Sequence, residues 1–148
     1  LCALAAVLGY IETLFSPIIP IAGFKVGLAN TAVMLALYKF GERSAFFVML
    51  VKVLTVCLWF SGLNALIFAL SGGALSFFAM CAAKRAGMSQ AGVGMCGGVL
   101  HNVGQLAAAA AVMRGAHVMY LAPALILLGL AAGLFVGICV KSLLRCLK

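Results

Sequence analysis

The sequence has very little negative charge. It contains no aspartate and only two glutamates, Glu12 and Glu42, against ten lysines and arginines. Charged residues make up 8% of the chain and hydrophobic residues 67%, whereas a soluble domain has about 25% charged residues. A chain this apolar cannot cover its surface with polar side chains, so we expect the lipid bilayer to be its solvent. No clustered basic face is present, which argues against nucleic acid as a partner.

Common motifs of enzymes and metal proteins are missing as well. There is no GxxxxGK[ST] motif, so the chain is not a P-loop ATPase. The six cysteines form no CxxC pair, and most lie in apolar runs, where a free cysteine acts as a small hydrophobic residue. The GxGxxG match at Gly92–Gly97 does not follow a strand and has no acidic residue downstream to bind a ribose. We therefore expect neither a metal nor a cofactor.

The apolar residues fall into six segments that we predict to be transmembrane helices. No polar linker divides the chain, so we expect one domain over residues 1–148. No basic region precedes the first segment, and no signal peptide is predicted. The predicted fold is an all-α integral membrane bundle of six transmembrane helices. The segments run from about Leu1 to Phe15, Val26 to Phe40, Ser44 to Phe60, Ala65 to Ala83, Ala91 to Met113 and His117 to Val140.

The basic residues predict the orientation of the bundle. Lys25 and Arg114 lie on one side, together with the turns Ser61–Asn64 and Arg114–His117, while seven basic residues lie on the other. By the positive-inside rule, we expect a multi-pass protein of the cytoplasmic membrane with both termini in the cytoplasm. The seven residues are Lys39, Arg43, Lys84, Arg85, Lys141, Arg145 and Lys148.

Small residues recur at the spacing that lets helices approach closely. Gly129, Gly133 and Gly137 form a double GxxxG pattern in the last segment, and Gly94 and Gly98 form a single one in the fifth. Such faces pack helices against each other in lipid. They indicate packing within this bundle or, as the alternative, docking against a partner membrane protein.

Polar side chains interrupt the apolar segments at a few positions. An ionisable group there costs at least about 2.5–3.5 kcal/mol, which a partner, a water-filled cavity or a ligand usually offsets. Lys52, near the middle of the third segment, is either held in this way or extends along its flexible stem to an interface. His101, Asn102 and Gln105 share one side of a helix by their i,i+3 and i,i+4 spacing. That side is predicted to face the interior, as a hydrogen-bond network or as a ligand-binding patch.

The stretch Ser16–Asn30 breaks the helical pattern. Pro17 and Pro20 favour an extended segment, and two glycines bracket Lys25. If the second helix begins near Val26, its amide groups and positive dipole end lie beside the lysine, which suits an anionic group.

We therefore predict that this stretch covers the outer end of a binding site for an anionic or polar head group. In this hypothesis Lys25, Lys52 and the His101 patch bind the ligand, and Glu12 supplies a counter-charge. The candidate substrate-binding residues are Glu12, Gly23, Lys25, Gly27, Asn30, Lys52, Asn64, His101, Asn102 and Gln105.

Two of these stretches carry a family resemblance over nearly the whole chain. The octapeptide from Gly23 to Asn30 and the pentapeptide from His101 to Gln105 resemble the signatures of the membrane family labelled "heptaprenyl diphosphate synthase component I". That family is grouped with the Gx transporters. It is similar in architecture to the S components of energy-coupling-factor (ECF) vitamin transporters, which are six-helix substrate-binding proteins. The resemblance implies an S-component-like fold, with a coupling subunit and ATPases of an ECF module as partners.

These observations leave three functions open. The first is a substrate-binding subunit for a small anionic or amphipathic molecule related to isoprenoids, quinones or vitamins. The second is a membrane subunit of a quinone- or flavin-linked electron-transfer assembly. The third is an enzyme of prenyl metabolism; all-helical prenyl diphosphate synthases hold Mg²⁺ and diphosphate with aspartate-rich motifs. Because divalent cations of this kind need clustered oxygen anions, and the chain has two isolated glutamates, we expect no enzymatic activity.

Overall fold

The computed structural model describes residues 1–15, 27–61, 63–113 and 116–146, and these residues form helices joined by short turns. A π-helical turn, Cys57–Ser61, extends the third helix, and a 3-10 turn, Ala116–Leu121, precedes the sixth. The described part of the chain contains no strand. The α-helices are α1 (Cys2–Phe15), α2 (Leu28–Lys39), α3 (Glu42–Val56), α4 (Leu63–Arg85), α5 (Gln90–Met113) and α6 (Ala122–Cys146).

Three helices are long and apolar enough to cross a bilayer. These candidate spans are Ala65–Arg85, Gln90–Val112 and Met119–Cys146. At about 1.5 Å per residue, α4 to α6 are each roughly 35 Å long, which exceeds the hydrocarbon thickness of about 30 Å. Helices α1, α2 and α3 are shorter, at 14, 12 and 15 residues. The all-helical fold is confirmed for the described residues, and three of the six predicted spans meet this criterion there.

Helix α2 lies at the centre of the bundle. It contacts α1, α3 and α6, and eight of its twelve residues are buried. A helix that is apolar on all sides is stable where other helices surround it, and α2 has only Asn30, Thr31 and its terminal Tyr38 and Lys39 as polar interruptions. Its buried residues are Ala29, Thr31, Ala32, Val33, Met34, Leu35, Ala36 and Leu37.

Glycines bring α5 and α6 into direct backbone contact. A Cβ atom added to Gly94 would collide with the carbonyl oxygen of Gly133, and one on Gly98 with that of Gly129. A Cβ on Gly137 would lie 2.6 Å from the Cα of Ala91. The two GxxxG faces therefore interlock, and packing within the bundle is confirmed as their role. A second close contact joins α4 to α5, where Gly72 and Gly104 approach the other helix backbone.

The basic residues at the start of α3, the end of α4 and the end of α6 share one end of the bundle. Arg85 pairs with Glu42 at 2.6 Å, and Lys84 Nζ donates to the carbonyl oxygen of Leu37 at 2.6 Å. The hydrogen bond from the Arg85 guanidinium lowers the pKa of the Glu42 carboxyl. The contact of Gly137 with the start of α5 brings the last turns of α6 to the same end. We call it the basic end.

Three predicted boundaries were wrong. Glu42 and Arg43, placed in a turn by the sequence, belong to the first turn of α3, where a carboxylate is favourable beside the helix dipole. The predicted basic tail after Val140 is helical as far as Cys146, because α6 continues to that residue with no glycine or proline to stop it. Asn64, predicted in a turn, lies in the first turn of α4.

Candidate functional site

A cavity lies inside the bundle at the N-terminal end of α2. Residues from all six α-helices line it. Its volume is about 50 Å³, which is room for about four water molecules, since one water needs about 10–15 Å³ on this measure. The polar lining residues are Glu12, Asn30, Lys52, Ser76, His101, Asn102 and Gln105. The structure thus places six predicted site residues with polar side chains in one cavity, together with Gly27.

Three of the polar lining residues lie at a similar depth. Lys52, Ser76 and His101 are about nine to eleven residues, or roughly 14–17 Å, from the basic ends of their helices. That distance is about half of a hydrocarbon core of about 30 Å. The cavity therefore belongs to the middle of the bundle, where polar groups are most costly to leave without partners.

Lys52 is held in the cavity wall. It is 9% exposed, and its Nζ donates to Oδ1 of Asn30 at 2.7 Å. The lysine comes from α3 and the asparagine from the first turn of α2, so this bond joins the two helices. Of the two interpretations of Lys52, the structure supports the paired one, since the side chain points into the bundle and not towards an interface.

Glu12 caps the N-terminus of α2. The backbone N–H of Gly27 donates to Oε1 of Glu12, and Glu12 is buried at the end of α1. Gly27 has a left-handed conformation with φ of 80°, which a residue with a side chain adopts only with strain. An acidic group at a helix N-terminus is favourable. The predicted anion-binding feature of α2 is thus occupied, at this amide, by a carboxylate of the protein itself.

The α5 patch faces the cavity as its spacing predicts. His101 and Asn102 are buried, and Gln105 is half-buried beside them. Asn102 Nδ2 donates to the carbonyl oxygen of Leu125 at 2.7 Å, so this residue ties α5 to α6. Asn102 and the other two residues also border the cavity. The hydrogen-bond interpretation therefore holds for Asn102, and ligand binding by the patch stays a prediction.

Sequence reasoning missed Ser76. This residue of α4 is 2% exposed and lines the cavity. A single serine in an apolar helix is not by itself a signal, because serine hydroxyls commonly bond to their own helix. The Ser71-Gly72-Gly73 sequence one turn earlier marks the face of α4 that approaches α5, and Ser76 lies on the continuation of that face, against Gly97.

Some predicted features fall outside the described residues. Gly23, Lys25 and most of the stretch Ser16–Asn30 belong to this group, and so does the side chain of Asn64. Among the residues that the structure describes, no group of three or more histidine, cysteine or acidic side chains could hold a metal ion.

The comparisons with known proteins identify a family. The profile of the family described as "Heptaprenyl diphosphate synthase component I" matches residues 1–143. Comparison with curated proteins and with solved structures finds no match. The matched region includes every described residue of the cavity wall, and it contains both sequence stretches that resemble the family signatures. The chain belongs to the heptaprenyl diphosphate synthase component I family.

Proposed function

We propose that this protein is a substrate-binding subunit of a membrane transport system, resembling an ECF S component. It binds and takes up a small anionic or amphipathic molecule. The observation that supports this proposal is the polar cavity at mid-depth of an apolar bundle. Six helices contribute to its wall, and three of its polar residues lie about half a bilayer from the basic end.

The energetic cost of the site favours a ligand-binding role. Ionisable groups within a membrane segment cost at least about 2.5–3.5 kcal/mol each on insertion scales, and this protein keeps both Glu12 and Lys52 in the cavity wall. A bundle that needed only stability would be served as well by apolar side chains of similar volume. A site that must recognise a polar group in lipid requires such residues, and transporters commonly place them at the bilayer midplane.

The size of the cavity indicates whether the protein is in an open or a closed form. About 50 Å³ accommodates a compact polar group but not a whole isoprenoid, quinone or vitamin. The structure therefore corresponds to a closed form in this proposal. Binding of a larger molecule requires the helices to separate, or the apolar part of the ligand to lie outside the present cavity.

The proposed system needs other subunits. The chain has no P-loop motif, so energy for uptake would come from separate ATPases acting through a coupling subunit. We propose that the whole chain is one six-span domain and that the basic end faces the cytoplasm, as the positive-inside rule requires. The chain is not an enzyme in this proposal, and the family name reflects a relation to isoprenoid metabolism through its ligand or partner.

Native mass spectrometry of the protein in lipid nanodiscs tests the proposal. We expect a bound small molecule on the wild type and at least tenfold lower occupancy in Lys52→Met, because the substitution removes the cation from the cavity wall. Lys39→Met is the matched control, since Lys39 is exposed at the basic end, and it should retain the ligand. A wild-type spectrum without any bound molecule contradicts the proposal. A bound quinone or flavin with a redox-active spectrum would favour the electron-transfer alternative.

A further inference from the structure

The cavity wall contains a hydroxyl group that the described residues do not satisfy. Ser76 Oγ is buried and has no hydrogen-bond partner in the described part of the chain. Ser71, five residues earlier on α4, differs: its Oγ donates to the carbonyl oxygen of Ile67 at 2.8 Å and approaches that of Phe68 at 3.1 Å. A helical serine ordinarily bonds to its own backbone in this way. Ser76 is the exception, and it borders the cavity.

This exception has a cost. A buried hydroxyl without a partner destabilises a protein by about 1–3 kcal/mol, and an alanine at the same place would avoid it. The hydroxyl can both donate and accept a hydrogen bond. Its position therefore indicates a polar group that enters the cavity and completes the bonding of Ser76.

The charges of the cavity wall limit that group. Glu12 and Lys52 are the acidic and basic residues of the described lining, and their formal charges cancel when His101 is neutral. Lys25, outside the described residues, could add at most one positive charge. A phosphate monoester already carries about two negative charges near neutral pH, and a diphosphate carries more. Burial of that unbalanced charge costs several kcal/mol per ion.

We infer that the cavity receives a compact oxygen-bearing group with at most one negative charge, and that Ser76 is a specificity-determining residue that hydrogen-bonds to it. This inference rests on the proposed function and narrows its ligand class. The ligand end that enters the cavity is a hydroxyl, carbonyl or carboxylate. The family description contains the words heptaprenyl diphosphate, but in this inference the cavity does not bind the diphosphate group of a prenyl diphosphate.

Four probes with the same apolar chain test the inference: geraniol, geranic acid, geranyl phosphate and geranyl diphosphate. Their dissociation constants are measured in nanodiscs by equilibrium dialysis with the full chain. We expect geraniol or geranic acid to bind most tightly and the diphosphate most weakly. Ser76→Ala should weaken the best probe about three- to tenfold, the loss of one hydrogen bond. Ser71→Ala is the matched control and should change binding less than about twofold, because its hydroxyl bonds to its own helix.

A stability measurement separates contact with the ligand from a structural role. Without probe, Ser76→Ala should unfold at the same temperature as the wild type or higher, because it removes an unsatisfied hydroxyl. A lower unfolding temperature would assign Ser76 a structural bond and overturn its proposed role. Tightest binding by geranyl diphosphate, abolished in Lys52→Met, would overturn the charge argument and leave the proposed function intact. Failure of all four probes to bind would contradict the inference, and native mass spectrometry then decides the proposed function separately.

Discussion

The backbone contact between α5 and α6 makes Gly98→Ala a sharp test of the fold. A Cβ on Gly98 would collide with the carbonyl oxygen of Gly129 and lie 3.0 Å from the Cα of Gly133. These are backbone atoms, so no rotamer change can relieve the contact and the helices must separate. Overpacking of this kind costs about 1–3 kcal/mol. The same three glycines line the cavity, so the change also disturbs the proposed site.

The matched control for this prediction is Gly73→Ala. Gly73 is buried in α4, but a Cβ there would meet Met49 Sδ at 3.3 Å and Val53 Cγ2 at 3.5 Å, and the methionine side chain can move. Both substitutions gain about 0.8–1.0 kcal/mol of helix propensity, so this term cancels between them. The difference in stability between the two variants then reports the backbone contact, about 1–3 kcal/mol.

Thermal unfolding in detergent, followed by circular dichroism at a helical wavelength, measures this difference. For a chain of this length 1 kcal/mol corresponds to about 2–4 °C, so Gly98→Ala should unfold roughly 2–12 °C below Gly73→Ala. Equal unfolding temperatures, or a more stable Gly98→Ala protein, would refute the close approach of α5 and α6.

Two further predictions concern carboxylates. Glu12→Ala should lower stability by about 0.5–2 kcal/mol through loss of a helix cap, whereas Glu12→Gln, which keeps an acceptor oxygen, should lose less in the same unfolding assay; equal losses would contradict the capping role. Because Arg85 lowers the pKa of Glu42, the pair stabilises the protein above the ordinary carboxyl range and loses this effect as the pH falls through the lowered pKa. The unfolding temperatures of wild type and Glu42→Gln should therefore differ at pH 7, converge in acid, and approach each other in high salt; a difference that persists in acid would contradict this account.

The sequence predicts the helices well because lipid leaves few alternatives for an apolar segment. Each of the six segments has a helix within it, and the glycine spacing at Gly94 and Gly129 correctly predicts close packing. The ends of helices are less predictable. Glu42 and Arg43 follow Gly41 and look like turn residues by composition, but α3 begins at Glu42, whose carboxylate is favourable beside the helix dipole.

The cavity is only partly readable from sequence, for a physical reason. Helical spacing places His101, Asn102 and Gln105 on one face, and the cost of burial indicates that Lys52 has a partner. Which atom serves as that partner depends on how two helices meet. Asn30 is a candidate site residue from the sequence, but its hydrogen bond with Lys52 is seen only in the structure. No sequence pattern identifies Ser76. It stands out only in the structure, where its hydroxyl does not bond to the backbone of its own helix.

An experimental structure of the protein extracted with its native ligand tests the central claim most directly. The account predicts non-protein density in the cavity, with an oxygen atom within hydrogen-bond distance of Lys52 Nζ and of Ser76 Oγ. Density for water alone at these positions, with the ligand bound elsewhere on the bundle, would contradict it.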